Sequence, residues 1–142
     1  MAYRPLCRYP NGWMKLLRAL WILGTLAVAV GSLLPASSPE IRAISALPVS
    51  DKVIHFSGYM VVAFLAVCAE GRARAWKLCA GLVAMGIALE FLQELVPGRS
   101  SEVLDAVADL GGVLLGLLLA IAASRGGAKQ RSGPETVAAA KK

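Results

Sequence analysis

The side chains of this 142-residue chain able to do chemistry are few and regularly spaced. Asp51, His55 and Tyr59 stand four residues apart, with Lys52 beside them. That interval stacks side chains on one face of a helix. Glu90 and Gln93, three apart, share a face further along, with Glu94 next to them, and Asp105 and Asp109 repeat the four-residue step. An imidazole among carboxylates suits proton transfer, with His55 as general base. The fork of Arg99 and the ammonium of Lys52 suit phosphate or carboxylate. Carboxylates alone suit Mg²⁺, which stays open here. The chain has a single histidine, which weighs against catalytic metal sites built from several imidazoles. Cys7, Cys68 and Cys79 lack metal-ligand spacing. The expectation is therefore no metal, no structural zinc and no cofactor.

These residues must be positioned by elements that live in lipid. The chain is 57% hydrophobic with only 17% charged residues, and its mean hydropathy is +0.63. That is too apolar for a soluble domain, so the bilayer is the expected solvent. A hydrocarbon core of about 30 Å requires about 20 apolar residues of a helix. Such stretches, or near ones, occupy 16–34, 53–69, 76–96 and 103–123. Pro35, Pro39 and Pro48 break the chain after the first, Gly71 with Arg72 and Arg74 after the second, and Pro97-Gly98 after the third. The reading is an all-α bundle of about four transmembrane helices with short, antiparallel connections. It divides into an N-terminal segment 1–15, a membrane domain 16–123 and a disordered basic tail 124–142. A membrane domain this size leaves no room for a separate soluble catalytic domain.

Basic residues orient the bundle. Arg4, Arg8, Lys15 and Arg18 precede the first span, Arg72, Arg74 and Lys77 sit between the second and third, and Arg125, Lys129, Arg131, Lys141 and Lys142 follow the fourth. All three groups fall on one side, so both termini are expected in the cytoplasm, with Trp13 and Trp76 as interface anchors. The cysteines fall near that same side, where thiols stay reduced, so no disulfide is expected. A cleaved signal peptide ending near Ala36-Ser37-Ser38 is the alternative for the first span. Its apolar run is longer than a usual signal core, and Pro39 is a poor start for a mature chain. The net charge of +6 is scattered among apolar segments and forms no basic stripe with interleaved aromatics, which argues against nucleic acid.

With this topology the polar residues gather in the outer part of the bilayer. Each charge at a span centre costs up to about 2.5–3.5 kcal/mol on the insertion scale, so their retention needs a reason. With a rise of about 1.5 Å per residue, His55 and Asp109 reach roughly 6 Å deeper than Asp51 and Asp105. Three polar faces at matched depth imply one shared, outward-open cluster. Arg99, on the turn between the third and fourth spans, is expected above it, facing Glu90, Glu94, Asp105 or a lipid phosphate. Gly112 and Gly116, four apart, form a small face that admits another helix closely. Gly81 and Gly86 are read as packing or kink residues.

In order and spacing these residues resemble the VanZ-like family of small bacterial polytopic membrane proteins. The resemblance rests on Asp51-Lys52 with His55-Phe56 and Tyr59, then Glu90 and Gln93, then Pro97-Gly98-Arg99, then Asp105, Gly112 and Gly116. It implies a bacterial cytoplasmic membrane and a setting in cell-envelope or glycopeptide-antibiotic physiology, with no mechanism attached. One departure stands out. Asp109 occupies a position after the acid of the fourth span where that family commonly has asparagine, and this added acid must be paired, protonated or hydrated.

Three readings of the cluster are open. In the first, the polar groups satisfy one another and pin three helices together; hydrogen bonds between membrane helices average only about 0.6 kcal/mol, little return for so many. In the second, Asp51, Lys52, His55, Tyr59, Glu90, Gln93, Arg99, Asp105 and Asp109 surround a ligand: an anionic lipid head group or a lipid-linked envelope precursor, with a glycopeptide drug suggested by the family's setting. In the third, the protein is a membrane-embedded enzyme in which Asp51 or Glu90 orients His55, Asp105 is the acid partner and Arg99 stabilises developing charge.

Overall fold

The computed structural model describes residues 11–129. Cys7, Arg4, Arg8, Arg131, Lys141 and Lys142 lie outside the described residues, as does the expected tail beyond 129. The described chain is all helical: α1 (Asn11–Leu33), α2 (Pro39–Ser45), α3 (Asp51–Glu70), α4 (Arg72–Gln93) and α5 (Val103–Lys129). All but α2 are long and apolar enough to cross a membrane. The helices outrun the apolar stretches because polar residues at a membrane surface are as compatible with helix as apolar ones. Thus α1 already includes Lys15, and α5 runs on through 124–129, which corrects the expectation of a disordered tail from 124.

The α2 helix is the element the sequence reading missed. Ser38 stands at its N-cap with extended backbone, Pro39 opens the first turn, and Glu40 lies where the helix dipole favours an acid. Ile41 is its buried residue.

At the centre of the bundle, α3 packs against α1, α4 and α5, with its most extensive contact on α5. The buried face of α3 is built from Tyr59, Val62, Ala63, Ala66 and Val67, and Val113 and Ala120 meet it from α5. The helix that Gly112 and Gly116 admit is α3. A β-carbon on Gly112 would collide with the Phe56 carbonyl oxygen, and one on Gly116 with the Met60 carbonyl oxygen. The two backbones therefore touch along this seam. Large apolar side chains such as Leu26, Phe91, Leu114 and Leu118 are exposed on the outer faces. This is the distribution expected where lipid takes the place of water and close packing falls to small residues.

Two glycines make the reversals. Gly71 (φ +80°) ends α3 and starts α4, and Gly98 (φ +77°) turns the chain between α4 and α5. Both angles lie where a β-carbon is disfavoured. At the end of the bundle where α1 begins and α3 finishes, Glu70 takes Arg18 at 2.9 Å and Arg74 at 2.8 Å. Trp13 and Trp76 are both exposed there, and the Lys77 ammonium stands 5.5 Å from the Trp76 ring centre. The polar cluster lies at the other end.

Candidate functional site

The start of α3, the end of α4 and the start of α5 meet at that opposite end. His55, one turn inside α3, meets Asp109, nearly two turns inside α5: Nδ1 and Oδ1 are 3.0 Å apart. Asp109, the second acid of α5, is thus the histidine's partner. This corrects the expectation that Asp51 or Glu90 orients His55; Asp51 Oδ2 stands 4.0 Å from Nε2, at the solvent-facing rim. Asp109 is only 2% exposed, and a glycine makes its place. A β-carbon on Gly86 of α4 would fall 2.7 Å from Asp109 Oδ2 and 3.2 Å from the Tyr59 hydroxyl oxygen. Gly86 is therefore a packing residue whose neighbours are polar.

Lys52 is committed within the cluster. Its ammonium lies 2.6 Å from Glu102 Oε2 and 3.2 Å from Asp105 Oδ1. The second contact is an ion pair off the hydrogen-bond direction, so Asp105 Oδ1 remains buried without a hydrogen bond. Glu102, in the turn just before α5, is a site residue that the sequence reading did not single out. The Lys52 ammonium holds its carboxyl below the usual glutamate range. Its backbone N–H donates to Glu90 Oε2 at 3.0 Å, so a side chain of α4 caps the open end of α5. The other oxygen, Glu90 Oε1, is buried and has no hydrogen-bond partner, and the same is true of the Tyr59 hydroxyl.

Arg99 and Gln93 turn away from the carboxylates. Arg99 donates from Nε to the Leu34 carbonyl at 3.2 Å and from Nη2 to the Gly31 carbonyl at 3.0 Å. Gln93 Nε2 donates to the Ser32 carbonyl at 3.1 Å. The last turn of α1, whose carbonyls have no helical partners and carry the negative end of the dipole, is thus capped by α4 and the following turn. The expectation that Arg99 faces Glu90, Glu94 or Asp105 is corrected accordingly. Glu94 also falls outside the cluster: α4 ends at Gln93, Glu94 is its C-cap, and its side chain is exposed. No sequence signal marks a backbone carbonyl as a target, so the role of Arg99 was hidden.

Between α1, α2 and α3 lies a cavity of about 280 Å³. Val28, Ile41, Ile44 and Ile54 form apolar wall, whereas Asp51, His55, Tyr59 and Arg99 bring polar groups. The α2 helix contributes one side of this space. The cavity thus has both polar and apolar lining, and His55, the partner of Asp109, is part of its wall. Two sets of side chains can each bring one metal-binding atom to within 4.8 Å of the others: His55 with Glu90 and Asp109, and His55 with Asp51 and Asp105.

By length and composition of its helices, this is a multi-pass membrane protein, an all-α bundle with a polar cluster at one end. No protein-family model matches the chain, and no curated protein or solved structure does so either.

Proposed function

We propose that this is a VanZ-like protein of the bacterial cytoplasmic membrane, with both termini in the cytoplasm, that binds an amphiphile in the cavity beneath α2. The amphiphile is a membrane lipid with an anionic head or a lipid-linked envelope precursor, which ties the protein to the envelope or to the glycopeptide response. The observation that carries this reading is the cavity itself, with polar groups from Asp51, His55, Tyr59 and Arg99 beside apolar wall. Small-ligand sites have this character, mostly apolar lining with a few placed polar groups, and a cavity of about 280 Å³ has room for part of an amphiphile, not the whole. Lys52 is already engaged by the carboxylates of Glu102 and Asp105, whereas Arg99 lines the cavity and its two bonds go to neutral backbone carbonyls, so its charge can meet an anionic head. The order of residues from Asp51 to Gly116 supports the family assignment.

Native mass spectrometry of protein purified in mild detergent tests the binding. Wild type is expected to retain a defined anionic lipid or lipid-linked species. Ile44→Trp, which adds bulk to the cavity from α2 and leaves the polar residues themselves unchanged, is expected to lose it at equal abundance. Equal, nonspecific lipid on both proteins would reject the reading.

The His55–Asp109 pair favours a second reading, an enzyme acting on a lipid-linked substrate. A carboxylate on one imidazole nitrogen leaves the other to act as general base. In that case His55→Asn abolishes turnover while the bound species stays.

A further inference from the structure

The polar cluster holds more acid than its cations balance. Asp51, Glu90, Glu102, Asp105 and Asp109 face Lys52 and His55, and Glu90, Asp105 and Asp109 are each no more than 5% exposed. Burying carboxylate charge that nothing balances costs several kcal/mol even after relaxation, so this excess calls for added protons or a further positive charge. Three features show where it belongs. His55, Glu90 and Asp109 each offer an atom within 4.8 Å of the others. Glu90 Oε1 is buried with no hydrogen-bond partner, and so is the hydroxyl of Tyr59, a residue 2% exposed. That hydroxyl and Asp109 Oδ2 come together over Gly86, where the absence of a β-carbon leaves them room.

We propose that His55, Glu90 and Asp109 form a site for one divalent transition-metal ion, with the Tyr59 hydroxyl at its edge. One imidazole nitrogen among carboxylate oxygens suits a borderline ion of the Mn²⁺ to Zn²⁺ class better than Ca²⁺, which takes an all-oxygen shell. With bonds of about 2.1 Å, ligands at tetrahedral angles lie about 3.4 Å apart; His55 Nδ1 and Asp109 Oδ1, 3.0 Å apart, already stand at such a spacing, and Glu90 completes the set by moving its side chain inward. The ion neutralises the buried carboxylates and gives Glu90 Oε1 its missing partner. This site lies between α3, α4 and α5 and stands whether or not an amphiphile occupies the cavity beyond it.

The test uses tag-free, full-length protein in mild detergent, stripped with a chelator and titrated with Mn²⁺. Saturable binding of one ion per chain is expected, with a nitrogen hyperfine coupling in the pulsed electron paramagnetic resonance spectrum. The chain has one histidine, so that coupling assigns the ion to His55 without any variant. Glu90→Gln is expected to weaken binding tenfold or more, and Glu40→Gln, on exposed α2 surface, to leave it unchanged. No saturable binding by wild type, or bound Mn²⁺ without nitrogen coupling, would overturn the proposal even if the Glu90 variant failed to fold.

Discussion

Replacing Gly86 by alanine is expected to destabilise the bundle, whereas the same change at Gly81, on the same helix, is expected to stabilise it or leave it unchanged. At position 86 the new methyl would stand 2.7 Å from Asp109 Oδ2 and 3.2 Å from the Tyr59 hydroxyl oxygen. Asp109 is 2% exposed, so its carboxylate has no open side to retreat into, and displacing it breaks the 3.0 Å contact with His55. A hydrogen bond to a charged group contributes about 1.5–3 kcal/mol. Alanine recovers about 0.8–1 kcal/mol of helix propensity, leaving a net loss of about 0.5–2 kcal/mol. A β-carbon at Gly81 meets nothing within 4 Å, so only the propensity gain of up to about 1 kcal/mol applies there. Unfolding by sodium dodecyl sulfate in mixed micelles, followed by circular dichroism, measures both variants against wild type. Equal stabilities, or a gain at position 86, would refute the claim that Gly86 is there to seat Asp109.

Other perturbations have equally definite signs. Gly112→Ala places a methyl against the Phe56 carbonyl; because the obstacle is backbone, α3 and α5 must separate, and the loss is expected to exceed that at Gly86, at about 2–3 kcal/mol in the same assay. Arg99→Met strips its two bonds from the last turn of α1 and is expected to cost about 1.5–3 kcal/mol, with faster hydrogen exchange confined to the end of α1 and the adjoining turn. For Glu102, the depressed folded-state pKa means the unfolded chain binds more protons across the transition. Its contribution is therefore complete above the ordinary glutamate pKa and is lost as pH falls through the lower folded value. The stability difference between wild type and Glu102→Gln should shrink in that acidic window, and a difference that grows on acidification would contradict the Lys52–Glu102 pairing.

Much of this architecture was legible in the sequence, for a physical reason. A helix in lipid must be long and apolar, so the spans declare themselves, and short antiparallel connections then force the polar ends of α3, α4 and α5 together. Helical spacing also placed His55 and Asp109 at a common depth, where they meet. What stayed hidden depended on partners without sequence signatures. Arg99 and Gln93 bind backbone carbonyls of α1, and any residue supplies a carbonyl. Glu94 follows Glu90 by four residues and shares its face in an ideal helix, but α4 ends before it and the chain has begun to turn. With seven residues among three prolines, α2 is too short for periodicity to register, though Ser38-Pro39-Glu40 carried a start signal. The pairing of His55 with Asp109 over Asp51 was decided by which helix packs closest, and that follows from the glycine seam of α5 on α3.

Amphiphile binding beneath α2 is tested most directly by photocrosslinking in membranes with diazirine-bearing phospholipids, each labelled peptide then being located by mass spectrometry. Adducts at Ile41, Ile44 and Ile54, suppressed in Ile44→Trp, are the expected result. Labelling confined to the outer faces, at residues such as Leu114 and Leu118, would contradict a ligand site in the cavity.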